Sequence, residues 1–89
     1  MKIYALVASN DTGLKIIDVS DLYNPELVGS ISTGGNAGGV SSIKIEVKIY
    51  ALVASGDAGL KIIDVSDPYN PVLIDNINSG GYAMGVSSI

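Results

Sequence analysis

The residues best equipped to do chemistry in this chain come in pairs. Asp18, Ser20 and Asp21 stand together in "DVSD" and return 46 positions later as Asp64, Ser66 and Asp67. Clustered oxygens of this kind are what a hard cation such as Ca²⁺ binds. The same residue types also close Asx and Ser turns by accepting hydrogen bonds from nearby backbone N–H groups. No glycine-bent ligand loop accompanies them, so the turn reading of Asp18, Asp21, Asp64 and Asp67 comes first. Asp11 and Asp57 read as hairpin residues for the same reason. Histidine and cysteine are absent. That removes the usual nucleophile and base pairs and all thiolate metal sites, so hydrolysis would have to rest on carboxylates alone. The chain is read as a non-enzyme without a cofactor.

Aromatic side chains offer a second kind of chemistry, stacking on a sugar or a ligand ring. Tyr23 and Tyr69 lie in "YNP" turns, where a ring is expected to pack over the proline, and tryptophan is absent. Tyr82 stands where the first copy of the repeat has Asn36, and Met84 where it has Gly38. Tyr82, Asn36, Met84, Tyr23 and Tyr69 are therefore the candidate ligand contacts, for a protein or a glycan. Five basic against nine acidic residues leave a net charge of −4. Such a balance offers no basic surface to offset phosphates, which argues against nucleic acid.

These residues are carried on a duplication. Residues 2–43 align with 48–89 without a gap, and 31 of the 42 positions are identical, with 44–47 as connector. Glycine, proline and Asx signals divide each copy into four strands. They are expected near 2–8, 14–19, 26–32 and 36–43, recurring 46 residues on, with no helix longer than a turn. "NDTG" and "GDAG" suit tight hairpins with Gly13 and Gly59 at positive φ. "YALVA" and "LKIIDV" are apolar at successive positions, as in strands buried on both faces. "ELVGSIS" and "VLIDNIN" are more polar and read as edge strands. "GGNAGGVSSI" and "GGYAMGVSSI" are so glycine-rich that their backbone must run close to a neighbour. Four strands in a period of this length are the pattern of a β-propeller blade. The fold class is all-β, with two four-stranded antiparallel blades per chain and the glycine-rich strand innermost.

The wording "GLKIIDVSD", then "NP" with Leu27 and Val28, then Ala37 and Val40, resembles the LVIVD repeat, twice over and across nearly the whole chain. The resemblance implies propeller blades and a setting at the cell surface or in secreted proteins. The start "MKIYALVASNDTG" is too short an apolar run for a signal peptide or a membrane span, so the compartment stays open.

Two blades cannot close a ring. In chain order the strands run outer three, then a full four, then one inner strand, so closure between chains is expected, with 82–89 of one copy pairing along 2–8 of the next. The contacts would involve Lys2, Ile3, Tyr4, Ala5, Leu6 and Val7 on one side and Tyr82, Ala83, Val86 and Ile89 on the other. Head-to-tail contacts close into rings or run on as filaments. Three copies give six blades and four give eight. Three is preferred because a six-bladed ring of two-blade subunits resembles the arrangement of small bacterial and fungal lectins. Three functions follow as expectations: a self-assembling binding or scaffold propeller, a repeat whose only activity is assembly, and a carboxylate hydrolase. Gly39 and Gly85, on the inner strands, are expected to leave no room for a side chain. Gly29, whose counterpart is Asp75, is expected to tolerate one.

Overall fold

The structure is a computed structural model that describes residues 2–89. Seven strands follow in order: β1 (Tyr4–Ala8), β2 (Leu14–Asp18), β3 (Glu26–Ile31), β4 (Ala37–Ile45), β5 (Lys48–Ser55), β6 (Leu60–Asp64) and β7 (Val72–Ile77). They form two antiparallel sheets, β1-β2-β3 and β4-β5-β6-β7, and no helix occurs among the described residues. Within each sheet consecutive strands are neighbours, as the short connections between them favour, and the chain passes from one sheet to the other between β3 and β4.

Equivalent strands pair in equivalent registers. Leu6 faces Ile16 and Leu52 faces Ile62. A bulge between Ile16 and Ile17 toward β3 recurs between Ile62 and Ile63 toward β7. Gly13 and Gly59 have φ of +85° and +80°, as the hairpins require. Asn10 and Gly56, at φ of +50° and +56°, are the second left-handed residue of each hairpin, a role the Asp-Gly pattern did not single out.

The two sheets pack face to face. The first sheet contributes Leu14 and Ile16 to the buried core, and the second contributes Ala37, Ala51, Val53, Ile63 and Val65, with Tyr4, Leu6, Val28 and Val40 packed around them. Fully burying each of the larger side chains contributes about 1.5 to 3 kcal/mol. Strand alternation decides which face is used. Even-numbered residues of β1 and β2 meet odd-numbered residues of β5 and β6, so successive sheets present opposite faces of the same sequence.

Three expectations need correction. Residues 82–89 are not a strand here: Ala83 forms one bridge to Gly56, and the rest of the segment pairs with no strand among the described residues. The first sheet has three strands and the second four, in keeping with the expected strand order, since β4 belongs with β5, and the connector 44–47 is the end of a β4–β5 hairpin with its turn at Glu46 and Val47. Gly29 is buried, and a Cβ there would run into the Pro68 carbonyl oxygen of the facing sheet. Gly39 is crowded as expected, a Cβ standing 3.1 Å from both the Gly85 Cα and the Met84 carbonyl oxygen, whereas Gly85 itself has open space.

Candidate functional site

The candidate residues divide between the two ends of the strands. At the end where β1 begins and β2 finishes, the Asp18 Oδ1 accepts the Ser20 N–H at 2.8 Å, while the Ser20 hydroxyl accepts the Ile3 N–H at 2.8 Å. Asp64, Ser66 and Ile49 repeat this arrangement at 2.9 Å for both bonds. Asp21 and Asp67 each accept the amide of the following tyrosine turn, from Tyr23 at 3.0 Å and Tyr69 at 3.1 Å, and the side-chain amide of Asn24 or Asn70 at 3.1 Å. The carboxylates thus hold chain in place. Among the described residues no group of three metal-binding side chains converges.

Lys2 lies 3.2 Å from Asp18 and Lys48 3.6 Å from Asp64. Hydrogen bonds from the Ser20 hydroxyl and amide, with Lys2 beside them, hold the Asp18 carboxyl down at about 2. Asp21 and Asp64 are also lowered, by bonds from Asn24 and the Tyr23 amide and by bonds from Ser66, respectively. A carboxyl that binds its proton less readily folded than unfolded stabilises the fold above its ordinary value of 3.8. That stabilisation is lost as pH falls from there through about 2. Urea midpoints taken between pH 5 and pH 2 should fall on acidification, and Asp18→Asn should flatten the decline. An unchanged slope in that variant would contradict the assignment.

At the opposite end of the strands lie the hairpins. Here the Asn36 Nδ2 donates to the Tyr82 Oη at 2.9 Å, although the two are equivalent positions of successive repeats. A Cβ on Gly56 would stand 3.0 to 3.1 Å from the Tyr82 ring, so the ring lies over the hairpin glycine. In the first repeat the same place holds Asn10, bridged to Ala37 beside Asn36. The Gly56 and Tyr82 changes are therefore a matched pair, a signal present in the sequence at two positions 26 residues apart but meaningful only once the bridge is known. Met84 follows, its carbonyl 3.1 Å from where a Gly38 Cβ would stand.

The five ligand candidates thus do not form one site. Asn36, Tyr82 and Met84 share the hairpin end; Tyr23 and Tyr69 lie at the other. Tyr23 is 92% exposed, so its ring does not pack over Pro25; Tyr69, at 55%, is partly covered and lies near Lys2 of the first sheet. Sequence reasoning also missed a buried hydroxyl pair across the sheets: the Ser55 Oγ donates to the Thr33 Oγ1 at 2.6 Å.

Between the sheets a cleft of about 780 Å³ opens beside β1, lined in part by Tyr4, Leu6, Ile16, Val40, Ser42 and Val65. It lies along the β1 edge that has no neighbour, at the place an inner strand of the first sheet would cover.

Antiparallel sheets of this size, stacked face to face by successive repeats, with a glycine-rich strand at the edge of the second, define an all-β protein built from propeller blades. The LVIVD repeat profile matches residues 3–33 and 37–79, and the chain belongs to that family. The two matched stretches follow the two sheets, not the two halves of the duplication. No curated protein and no solved structure matches the chain.

Proposed function

We propose that the chain is a binding or scaffold module that acts as an assembled ring, copies of it stacking head to tail into a closed propeller. One observation carries this reading: its two outward faces bear the same residues as the two sides of its internal contact. On the first sheet Ala5, Val7, Ile17 and Val19 occupy the positions of the buried Ala51, Val53, Ile63 and Val65. On the second, Tyr50, Leu52, Leu60 and Ile62 occupy those of Tyr4, Leu6, Leu14 and Ile16. Each copy offers its neighbour the complement of what the neighbour exposes. The hydroxyl pair is kept as well, Ser9 and Ser79 standing for Ser55 and Thr33.

The free edge of β1 fits the same scheme. In the register that β4 adopts toward β5, Val86 of a second copy faces Val7, Ser87 faces Leu6 and Ile89 faces Tyr4. Directly opposed residues share a face, so Ser87 and Ile89 enter the cleft between the sheets. Such a contact is heterologous and closes when three or four copies complete the turn. The hairpin end of the ring, with Asn36, Tyr82 and Met84, is the surface we assign to a protein or glycan ligand.

Light scattering of the purified chain tests the assembly, with Val7→Glu as the variant. Val7 is exposed whereas its counterpart Val53 is fully buried. A glutamate at Val7 should leave the chain folded by circular dichroism yet monomeric, because an unpaired carboxylate would be buried only in the assembly. A wild-type chain that is monomeric at all concentrations, or a Val7→Glu chain of unchanged mass, overturns the proposal.

A further inference from the structure

The hairpin between β1 and β2 carries Asn10, Asp11 and Thr12 in succession, an Asn-x-Thr triplet without proline, which is the pattern read in N-linked glycosylation. We propose that Asn10 is a glycan acceptor, its side-chain nitrogen taking a sugar from a donor in which that sugar is activated by a diphosphate. The anomeric carbon exchanges its bond to the diphosphate oxygen for a bond to Nδ2. The diphosphate leaves with the electron pair, and the amide gives up one proton. This modification does not rest on the assembly proposed above.

The fold sets Asn10 apart from the other asparagines. Asn24, Asn36, Asn70, Asn76 and Asn78 all lack a serine or threonine two places on. Four of them also engage their side chains in the fold: Asn24 and Asn70 donate to Asp21 and Asp67, Asn36 donates to Tyr82, and the Asn78 Oδ1 accepts the Gly80 N–H. Asn10 is held through its backbone instead. Its N–H donates to the Ala37 carbonyl at 3.0 Å, and its carbonyl accepts the Ala37 and Gly13 N–H groups at 2.9 and 3.2 Å. Its φ of +50° is one that asparagine adopts more readily than most residues. The residue is exposed, so a substituent on Nδ2 extends into solvent and leaves those bonds intact. Thr12 is exposed as well, its hydroxyl donating within the loop to the Ser9 carbonyl at 2.7 Å.

The duplicated hairpin shows the contrary arrangement. Gly56 and Ala58 stand in place of Asn10 and Thr12 while Asp57 matches Asp11, so both residues the triplet requires are absent together and the one between them is kept. There the Tyr82 ring lies over the hairpin, 3.0 to 3.1 Å from where a Gly56 Cβ would stand, and Gly56 is buried. In the first repeat Asn36 stands in place of Tyr82, and its amide is turned to the Tyr82 Oη at 2.9 Å. The hairpin that carries an acceptor is the open one, and the hairpin without an acceptor is roofed by an aromatic ring. A glycan on Asn10 rises from the same end of the strands as Asn36, Tyr82 and Met84 and borders the surface assigned above to a ligand.

The test is the mass of the chain recovered from the cells that make it. It should exceed the 9.1 kDa of the polypeptide by one or more sugar residues. The excess should map to the tryptic peptide from Ile3 to Lys15, and an amidase that frees Asn-linked glycans in heavy-oxygen water should convert Asn10 to labelled aspartate. Thr12→Ser should keep the modification, whereas Asn10→Gly and Thr12→Ala should lose all of it. Those two variants place in the first hairpin what the second already carries at a φ of +56°, so their circular dichroism should match wild type. A chain of bare polypeptide mass, a glycan mapped to another residue, or one retained in Thr12→Ala overturns the inference and leaves the assembly standing. A chain glycosylated at Asn10 yet monomeric at all concentrations overturns the assembly alone.

Discussion

Replacing Gly29 by valine should destabilise this chain more than a valine at any other glycine of its inner or outer strands. The added Cβ meets the Pro68 backbone carbonyl, which cannot swing aside as a side chain would, and the Ile16 Cδ1 lies 3.4 Å away on the other side. Gly29 is also paired with Ile16, in the middle of the buried face. Relief therefore requires the sheets to part and uncover Leu14 and Ile16. Overpacking of a well-filled contact costs about 1 to 3 kcal/mol, and parting the sheets adds to it, so a loss of about 3 kcal/mol or more is expected in urea unfolding. Gly39→Val should cost less, because its Cβ meets residues 84–86, a segment held by one bridge that can yield. The order is opposite to the one the acceptance of Asp75 suggests from sequence. Equal midpoints for the two variants would show that the contact at Pro68 gives way more easily than its geometry implies.

Deleting residues 82–89 should abolish assembly while leaving both sheets in place. The seven strands all end before this segment, and it contributes to the chain itself the pair of hydrogen bonds between Gly56 and Ala83, at 2.8 and 2.9 Å, the bond from the Asn36 Nδ2 to the Tyr82 Oη, the Tyr82 ring over Gly56, and the approach to Gly38 and Gly39. Losing these hydrogen bonds and a half-exposed ring should lower stability by about 1 to 2 kcal/mol. Its larger effect falls on the neighbouring copy, where the β1 edge and the cleft beside it stay uncovered. Light scattering should find a single chain of β-rich circular dichroism. A truncated chain of unchanged mass and unchanged melting temperature would mean that 82–89 covers no β1 edge.

The strands themselves, their order within each sheet and the family were legible in the sequence, and for a local reason. Turn residues and alternation act over two to eight residues, and the duplication states each signal twice; Gly13 and Gly59 fall at positive φ in both copies, and the aspartates of "DVSD" close turns as their spacing implies. What the sequence could not decide is which residues of different repeats touch. The hydroxyl pair of Ser55 and Thr33 and the collision awaiting a side chain at Gly29 join positions brought together only by stacking one sheet on the next, and the matched change at Gly56 and Tyr82 joins positions that meet only because the chain after β7 folds back onto the hairpin of the second sheet. Reading Gly29 against Asp75 failed because identical repeats sit in different surroundings. Asp75 is exposed here on the open face of the second sheet, while Gly29 is enclosed by the Pro68 turn of the next repeat. Local chemistry wrote the blade twice, and tertiary packing made the two copies unequal.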